Sequence, residues 1–419
     1  MRIALIHTPF YFRQGGERQI LRLAIELQKM GHVTEIFTPG VDWTTYPEYF
    51  DKVKINEIPY PLTGKLPKAL IPPLTPRKNQ DNIPKETRKN IIAIINRSRE
   101  RLLRQYYISL LPQMFELGRK IPKNFEIINN HNFPTEWAGF FAKGRLKVPL
   151  VWMCNEPPYW FFAPEIKKGL AKVSWPIFEL VDKTSVQYVD EIMVLSHVSE
   201  GYVKKAYNRE SKIVRTGVDA EKFHKASGQN LRRKYGFENS FVLLFVGSSI
   251  YARRSNIIRA LALLSKKYKN IKLILDTSRD REMLTRLSEE LGLKDKVLLL
   301  NSKNDLELAE VYAACDVFIY PASASPWGLV VTEAMAASKP VIVSEQVGTS
   351  EIIQNGVNGI IIDKATPEKI AEEVEKLLND PELCQKIGEN AYEYVKNYLS
   401  WERYAKTVES IFEETLSNQ

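Results

Sequence analysis

Cysteine is scarce: Cys154, Cys315 and Cys384 are the only three in 419 residues, far apart and without C-x-x-C spacing. A disulfide framework or a cysteine zinc site is therefore not expected, and a reducing cytoplasm fits. Long apolar runs are missing too, and none approaches the ~18–20 residues that a membrane span needs. The chain opens directly on Arg2-Ile3-Ala4-Leu5-Ile6-His7, a strand-like run without the apolar core or cleavage site of a secretory signal. No D-x-D pair offers itself for a metal-bridged diphosphate, so no metal site is expected.

What is present is ordinary for a globular protein: 44% hydrophobic and 26% charged residues. The length favours two domains of about 200 residues each. Net charge is +9, and its distribution is uneven. Residues 61–120 carry 13 Lys/Arg against 4 Asp/Glu, a balance of 13 − 4 = +9, so the remaining residues sum to zero. A local excess of this kind points to a basic surface with an anionic partner, such as a membrane face or a phosphorylated acceptor. Within it, proline-rich 59–84 is a poor helix or strand former. Residues 86–120 read as a long basic helix or helix pair broken by Pro112. Either it packs an apolar stripe on the core with a solvated basic face, or it is an amphipathic element for a membrane-borne acceptor. No nucleic-acid motif accompanies the charge, so nucleic acid is not expected as a partner.

Both halves open alike. An apolar run at 2–8 leads into Gln14-Gly15-Gly16-Glu17, a helical pattern (Ile20, Leu21, Leu23, Ala24, Leu27, Met30) and the strand Val33–Thr38. The second half restarts at 241–247, with a helix near 256–268 and a strand at 271–276. Alternation continues through 296–301, 306–314, 317–320, 329–338 and 340–344, and becomes mostly helical from Thr366, ending in a helix from Trp401 to Leu416. Alternation of this type predicts an α/β protein with two doubly wound, Rossmann-like parallel sheets. The join is expected near Gly217-Val218-Asp219 to Gly228.

Ser325-Pro326-Trp327-Gly328-Leu329-Val330-Val331-Thr332-Glu333-Ala334-Met335-Ala336-Ala337 lies between two apolar runs. The order reads as strand, tight loop carrying Gly328, helix with an acid in its first turns, then strand. A helix start presents free N–H groups and the positive end of its dipole, which suits a diphosphate. An acid one to two turns further on suits a ribose.

The string resembles the donor-site signature of family 4 of the retaining glycosyltransferases, nucleotide-sugar enzymes with the two-domain GT-B fold. Their usual form is E-x-F-G-L-x-x-x-E-A-M-A. Glu333 fills the second acidic place, and Ser325 stands where the first glutamate would be. The resemblance implies two domains facing each other across a cleft: 1–222 on the acceptor side, with the basic insertion 61–120, and 223–397 on the donor side. Residues 398–419 would cross back to the first domain. It implies metal-independent transfer of a hexose, with retention, from a nucleotide-diphosphate sugar such as UDP-glucose or GDP-mannose. The acceptor would be a hydroxyl of a glycan or lipid-linked glycan, and no cofactor is implied. The location implied is cytoplasmic, with a peripheral place on the inner membrane face left open.

Residue roles follow from the same resemblance. Gly15 and Gly16 would let the backbone approach the donor diphosphate, where a Cβ would intrude. Gly247-Ser248-Ser249-Ile250-Tyr251-Ala252-Arg253-Arg254 occupies the place of V-G-R-x-x-x-x-K-G. Ser248 replaces the arginine, Arg253 matches the lysine, and Arg254 would supply a second cation to the phosphates. The amides around Gly328 and Leu329 would share the leaving charge, and Glu333 would hold the ribose. His131, at the end of the strand 125–131, would face the sugar, with Ser325 and Trp327 beside it. Asn155 and Glu156, at the exit of another strand, are acceptor-side candidates or a turn cap. The aromatic cluster Tyr159, Trp160, Phe161 and Phe162 is core, a stacking surface or a lipid contact. Asn355-Gly356-Val357-Asn358-Gly359 resembles a structural turn of the family. Ser248 and Ser325 also leave open a weak or inactive homologue that binds a nucleotide or a partner, and a sugar-nucleotide epimerase.

Overall fold

Strands of two to six residues, most of them apolar, pair in parallel in both sheets of the computed structural model of the chain. The structure describes residues 1–59, 110–156, 171–247, 252–302 and 304–418, with the backbone alone at 171–175. Most of the basic stretch 61–120, the cluster 159–162 and Ser248 lie outside the described residues. Residues 110–120, the described end of that stretch, are helical with Pro112 inside the helix, and bury Leu110, Met114 and Leu117.

The first sheet contains β1 (Arg2–Ile6), β2 (Val33–Thr38), β3 (Lys54–Glu57), β4 (Ile127–His131), β5 (Leu150–Met153), β6 (Glu191–Val194) and β7 (Lys212–Ile213). Their spatial order is β3-β2-β1-β4-β5-β6-β7. The second contains β8 (Phe241–Val246), β9 (Ile271–Asp276), β10 (Val297–Leu300), β11 (Val317–Tyr320), β12 (Val341–Ser344) and β13 (Ile360–Ile362), in the order β10-β9-β8-β11-β12-β13. Each is the doubly wound arrangement expected from the alternation. Strand order reverses between β1 and β4 in the first sheet and between β8 and β11 in the second. Ligands of open parallel sheets gather at the carboxyl ends flanking such a switch point.

The chain divides into two compact units: Met1–Val194 with Ser199–Val214 and Ala405–Gln419, and Leu195–Val198 with Arg215–Tyr404. Both sheets are buried on both faces, as parallel sheets are when helices cover them. Ile3, Ala4, Leu5 and Ile6 of β1, and Val242, Leu243, Leu244 and Phe245 of β8, are all fully buried. Helix starts are written locally. Asn304 accepts from the amides of Leu306 and Glu307, and Thr366 and Asp380 cap helices whose first residue is proline, Pro367–Asn379 and Pro381–Tyr398. The last helix, Trp401–Ser417, buries Ala405, Val408, Ile411 and Phe412. Within the first unit its Glu409 meets His32, and its Glu414 meets Lys212 at 2.7 Å.

Candidate functional site

In the second unit, the exits of β8 and β11 are stitched together at the switch point. Ala252 forms an antiparallel bridge with Ala322, and the Arg253 amide donates to the Pro321 carbonyl at 3.2 Å. This fixes the backbone of Arg253 while its side chain stays exposed; among the described residues its guanidinium has no partner. An exposed guanidinium on a fixed root presents a permanent charge and a rigid fork of donors that match a phosphate.

The loop after β11 ends at Gly328, whose φ of 98° is in the region that favours glycine. That turn launches the helix Leu329–Ala336, whose first amides have no acceptor inside the helix. The loop before it is clamped to 347–349: Gly348 N–H donates to the Ser325 carbonyl at 2.9 Å, and Thr349 N–H to the Trp327 carbonyl at 3.2 Å. The Ser196 hydroxyl donates to the Pro326 carbonyl at 2.6 Å. On the helix, Glu333 is only 3% exposed, and its Oε2 accepts from the Tyr312 hydroxyl at 2.9 Å. The carboxylate is thus orientated before any ligand arrives. At the end of β9, burial pushes the Asp276 carboxyl up, against the opposing hydrogen bonds from Ser302.

The expectation for Arg254 is corrected by the structure. Arg254 does not offer a second cation: it is 4% exposed, paired with Asp280, and lies over the Phe245 ring. Its helix, Arg254–Ser265, turns the first side chain inward, so the charge is spent on the loop after β9. Trp327 is 2% exposed, with its indole N–H buried and, among the described residues, without a partner. Ser325 is buried and engaged through its backbone.

The first unit builds a different chemistry at its switch point. The helix Gly15–Lys29 begins at the glycine pair, and a Cβ on Gly16 would lie 2.8 Å from Asn132 Nδ2. Asn132, with φ of 66°, donates to His7 Nε2 at 3.0 Å and accepts from Asn155 Nδ2 at 2.7 Å. His7 Nδ1 lies 2.8 Å from the Thr8 carbonyl, which places the proton on Nδ1 and leaves Nε2 as the acceptor. Burial pulls His7 down to about 4, so the ring is neutral at physiological pH. His131 is fully buried; its Nε2 bonds Asn129 Oδ1 at 2.8 Å, and its Nδ1 has no partner. Burial first, and then His7, hold His131 well below its ordinary value. It is a neutral ring with one open acceptor. Asn155 Oδ1 is likewise buried and unpaired, whereas Glu156 is exposed. Glu17, in the first turn after the glycine pair, is buried and pushed up to about 8, mainly by burial.

Sequence reasoning missed His7, Asn132 and Glu17. His7 follows a strand as directly as His131 ends one, so the strand-end rule would have found it. Asn132 is visible only through its contacts with β1 and β5 exits. The contact across Gly16 yields a prediction. Gly16→Ala forces Asn132 off His7, and we expect turnover to fall at least tenfold with a nearly unchanged melting temperature; equal kinetics would show the asparagine to be dispensable.

The sequence matches two family models: Glycosyltransferase Family 4 over residues 13–222, and Glycosyl transferases group 1 over 228–394. It is 35% identical over 301 residues to an uncharacterized glycosyltransferase of Methanocaldococcus jannaschii, MJ1607, covering 69% of this chain and 75% of that protein. The fold is similar to that of Anabaena Alr3699/HepE, solved in complex with UDP-glucose: TM-score 0.73, 17% identity, full coverage of both chains at 100%. It is also similar to WaaG, a glycosyltransferase involved in lipopolysaccharide biosynthesis, with TM-score 0.69, 19% identity, and 98% and 99% of the two chains covered.

Proposed function

The chain belongs to family 4 of the glycosyltransferases, with that group's two parallel-sheet GT-B domains, and from that premise we propose that it transfers a hexose from a nucleotide-diphosphate sugar to an acceptor hydroxyl with retention. The observation that carries the proposal is the second-unit switch point. There an exposed Arg253, the helix start at Gly328 and Leu329, and the pre-orientated Glu333 stand on the exits of β8 and β11. Arg253 and the helix amides stabilise the departing diphosphate, and Glu333 accepts from the ribose hydroxyls. Fixed donors of this kind act without reorganising as charge develops.

In the first unit, His131 takes a sugar hydroxyl through its open Nδ1 and Gly15–Gly16 admit a phosphate oxygen close to the backbone. Asn155 and Glu156 serve the acceptor. A neutral His131 accepts a hydrogen bond and carries no charge to the reaction. Among the described residues no helix is long and apolar enough to cross a membrane.

UDP-glucose is the first donor to try, because the similar HepE protein was solved with it. A thermal-shift screen of UDP, GDP, UDP-glucose and GDP-mannose should raise the melting temperature with one base and not the other. Proton NMR of the hydrolysed or transferred sugar then reads the anomer first released. Retained configuration supports the proposal; an inverted product, an epimerised donor, or no shift with any nucleotide overturns it.

A further inference from the structure

The exits of β1 and β2 carry an aromatic series that the donor chemistry does not use. It begins at the switch point, where the His7 ring stacks on Phe10 with centroids 4.8 Å apart. Phe10 meets Phe50 edge-on at 5.8 Å, and Phe50 meets Trp43 edge-on at 5.3 Å. Phe10 and Phe50 are buried, whereas Trp43 is 52% exposed. The series thus runs from the polar strand ends to an open indole. Its two loops are tied together, since Phe10 N–H donates to the Gly40 carbonyl and Asp42 N–H to the Phe10 carbonyl, both at 2.9 Å. Trp43 is therefore rooted on one side by Phe50 while half of its surface is left to solvent.

Polar residues flank it in the chain and stand on the neighbouring loop and helix. Asp42 Oδ1 accepts from the amide and hydroxyl of Thr44 at 3.2 and 2.7 Å. Arg13 lies 4.5 Å from the Tyr46 ring centroid and bonds Glu48 at 2.7 Å. Residues 8–14 and 39–57 hold Asp42, Glu48, Asp51 and Glu57 against Arg13, Lys52 and Lys54, four acids to three bases. An anionic bilayer is drawn to the opposite balance. A half-exposed indole flanked in the chain by a carboxylate, Asp42, and a hydroxyl, Thr44, matches a sugar ring, which presents apolar C–H groups on one face and hydroxyls at its rim.

We propose that Trp43, backed by Phe50, is the platform on which a sugar ring of the acceptor stacks, so that the acceptor is a saccharide recognised in part through its C–H face. This rests on the transferase reading, and deepens it by assigning the side chain that recognises the acceptor's sugar.

The test separates the two. Saturation-transfer NMR without any nucleotide, using methyl glycosides of glucose, galactose, mannose and N-acetylglucosamine, reads the platform alone. The wild-type protein should bind at least one glycoside through its ring C–H protons. Trp43→Ala should lose that signal at least fivefold, Trp43→Phe should restore most of it, and the thermal shift by the donor nucleotide should be the same in all three. If the wild type binds none, or Trp43→Ala binds equally well, the platform is refuted. Trp43-dependent binding to phosphatidylglycerol vesicles in place of glycosides would likewise overturn it in favour of a membrane contact. Failure of the transferase reading would appear separately, as no nucleotide shift and no donor-dependent transfer.

Discussion

Arg253→Ala should lower turnover with the best donor by about 10²–10³-fold, the loss seen when one fixed donor to a developing negative charge is removed. The side chain is rooted by its backbone bond to Pro321 and exposed, so the melting temperature should move little. Arg253→Lys keeps the charge but not the bidentate fork, and should recover only part of the rate. The neighbouring arginine serves as the internal control. Arg254→Ala breaks an inward-facing pair with Asp280, so its signature is a lower melting temperature. Steady-state kinetics beside thermal unfolding distinguishes the two: a donor-binding role for Arg254, or none for Arg253, would reverse the assignment. Glu333→Gln should weaken nucleotide binding while keeping the Tyr312 contact.

Glu17→Gln should have the largest effect on stability, and the effect should depend on pH. The folded carboxyl is raised from 4.5 to about 8, mainly by burial, with Glu156 adding to it and its own backbone bond opposing. A raised acid binds its proton more tightly when folded, so its favourable contribution is full below pH 4.5. It is lost progressively as pH rises towards 8, where the folded group ionises at the expense of stability. The shift corresponds to a ceiling of about 5 kcal/mol at ~1.4 kcal/mol per pH unit. Glutamine keeps the shape and has no proton to lose. The variant and the wild type should therefore melt together near pH 5, with the variant melting several degrees higher near pH 8.5. Parallel curves across that range would mean that Glu17 is hydrated or paired when folded. If activity is lost at alkaline pH in the wild type alone, ionisation of Glu17 also disturbs the glycine pair above it.

Much of the architecture could be read before any coordinates, because strand–helix alternation is a local property. The runs 33–38, 241–246 and 271–276 became strands at the expected places, and Trp401–Ser417 became the final helix. The motif around Gly328 and Glu333 was equally legible, since a strand, a positive-φ glycine and a helix start are neighbours in the chain. Arg254 was misplaced for a reason of periodicity. Spacing puts it beside Arg253, but the first residue of the helix faces the core, and only the fold supplies Asp280 as its partner.

Taken by itself, the amino-acid order determined the two doubly wound sheets, the family, and the loop that starts the helix Leu329–Ala336, because each of these depends on residues close in sequence. Tertiary structure decided which side chains remain available. His7, Asn132 and Asn155 come from the ends of β1, β4 and β5 and meet only when those strands lie side by side. The pairing of strands distant in the chain, and the burial it imposes, sets which arginine is exposed, which histidine is neutral and which carboxyl keeps its proton.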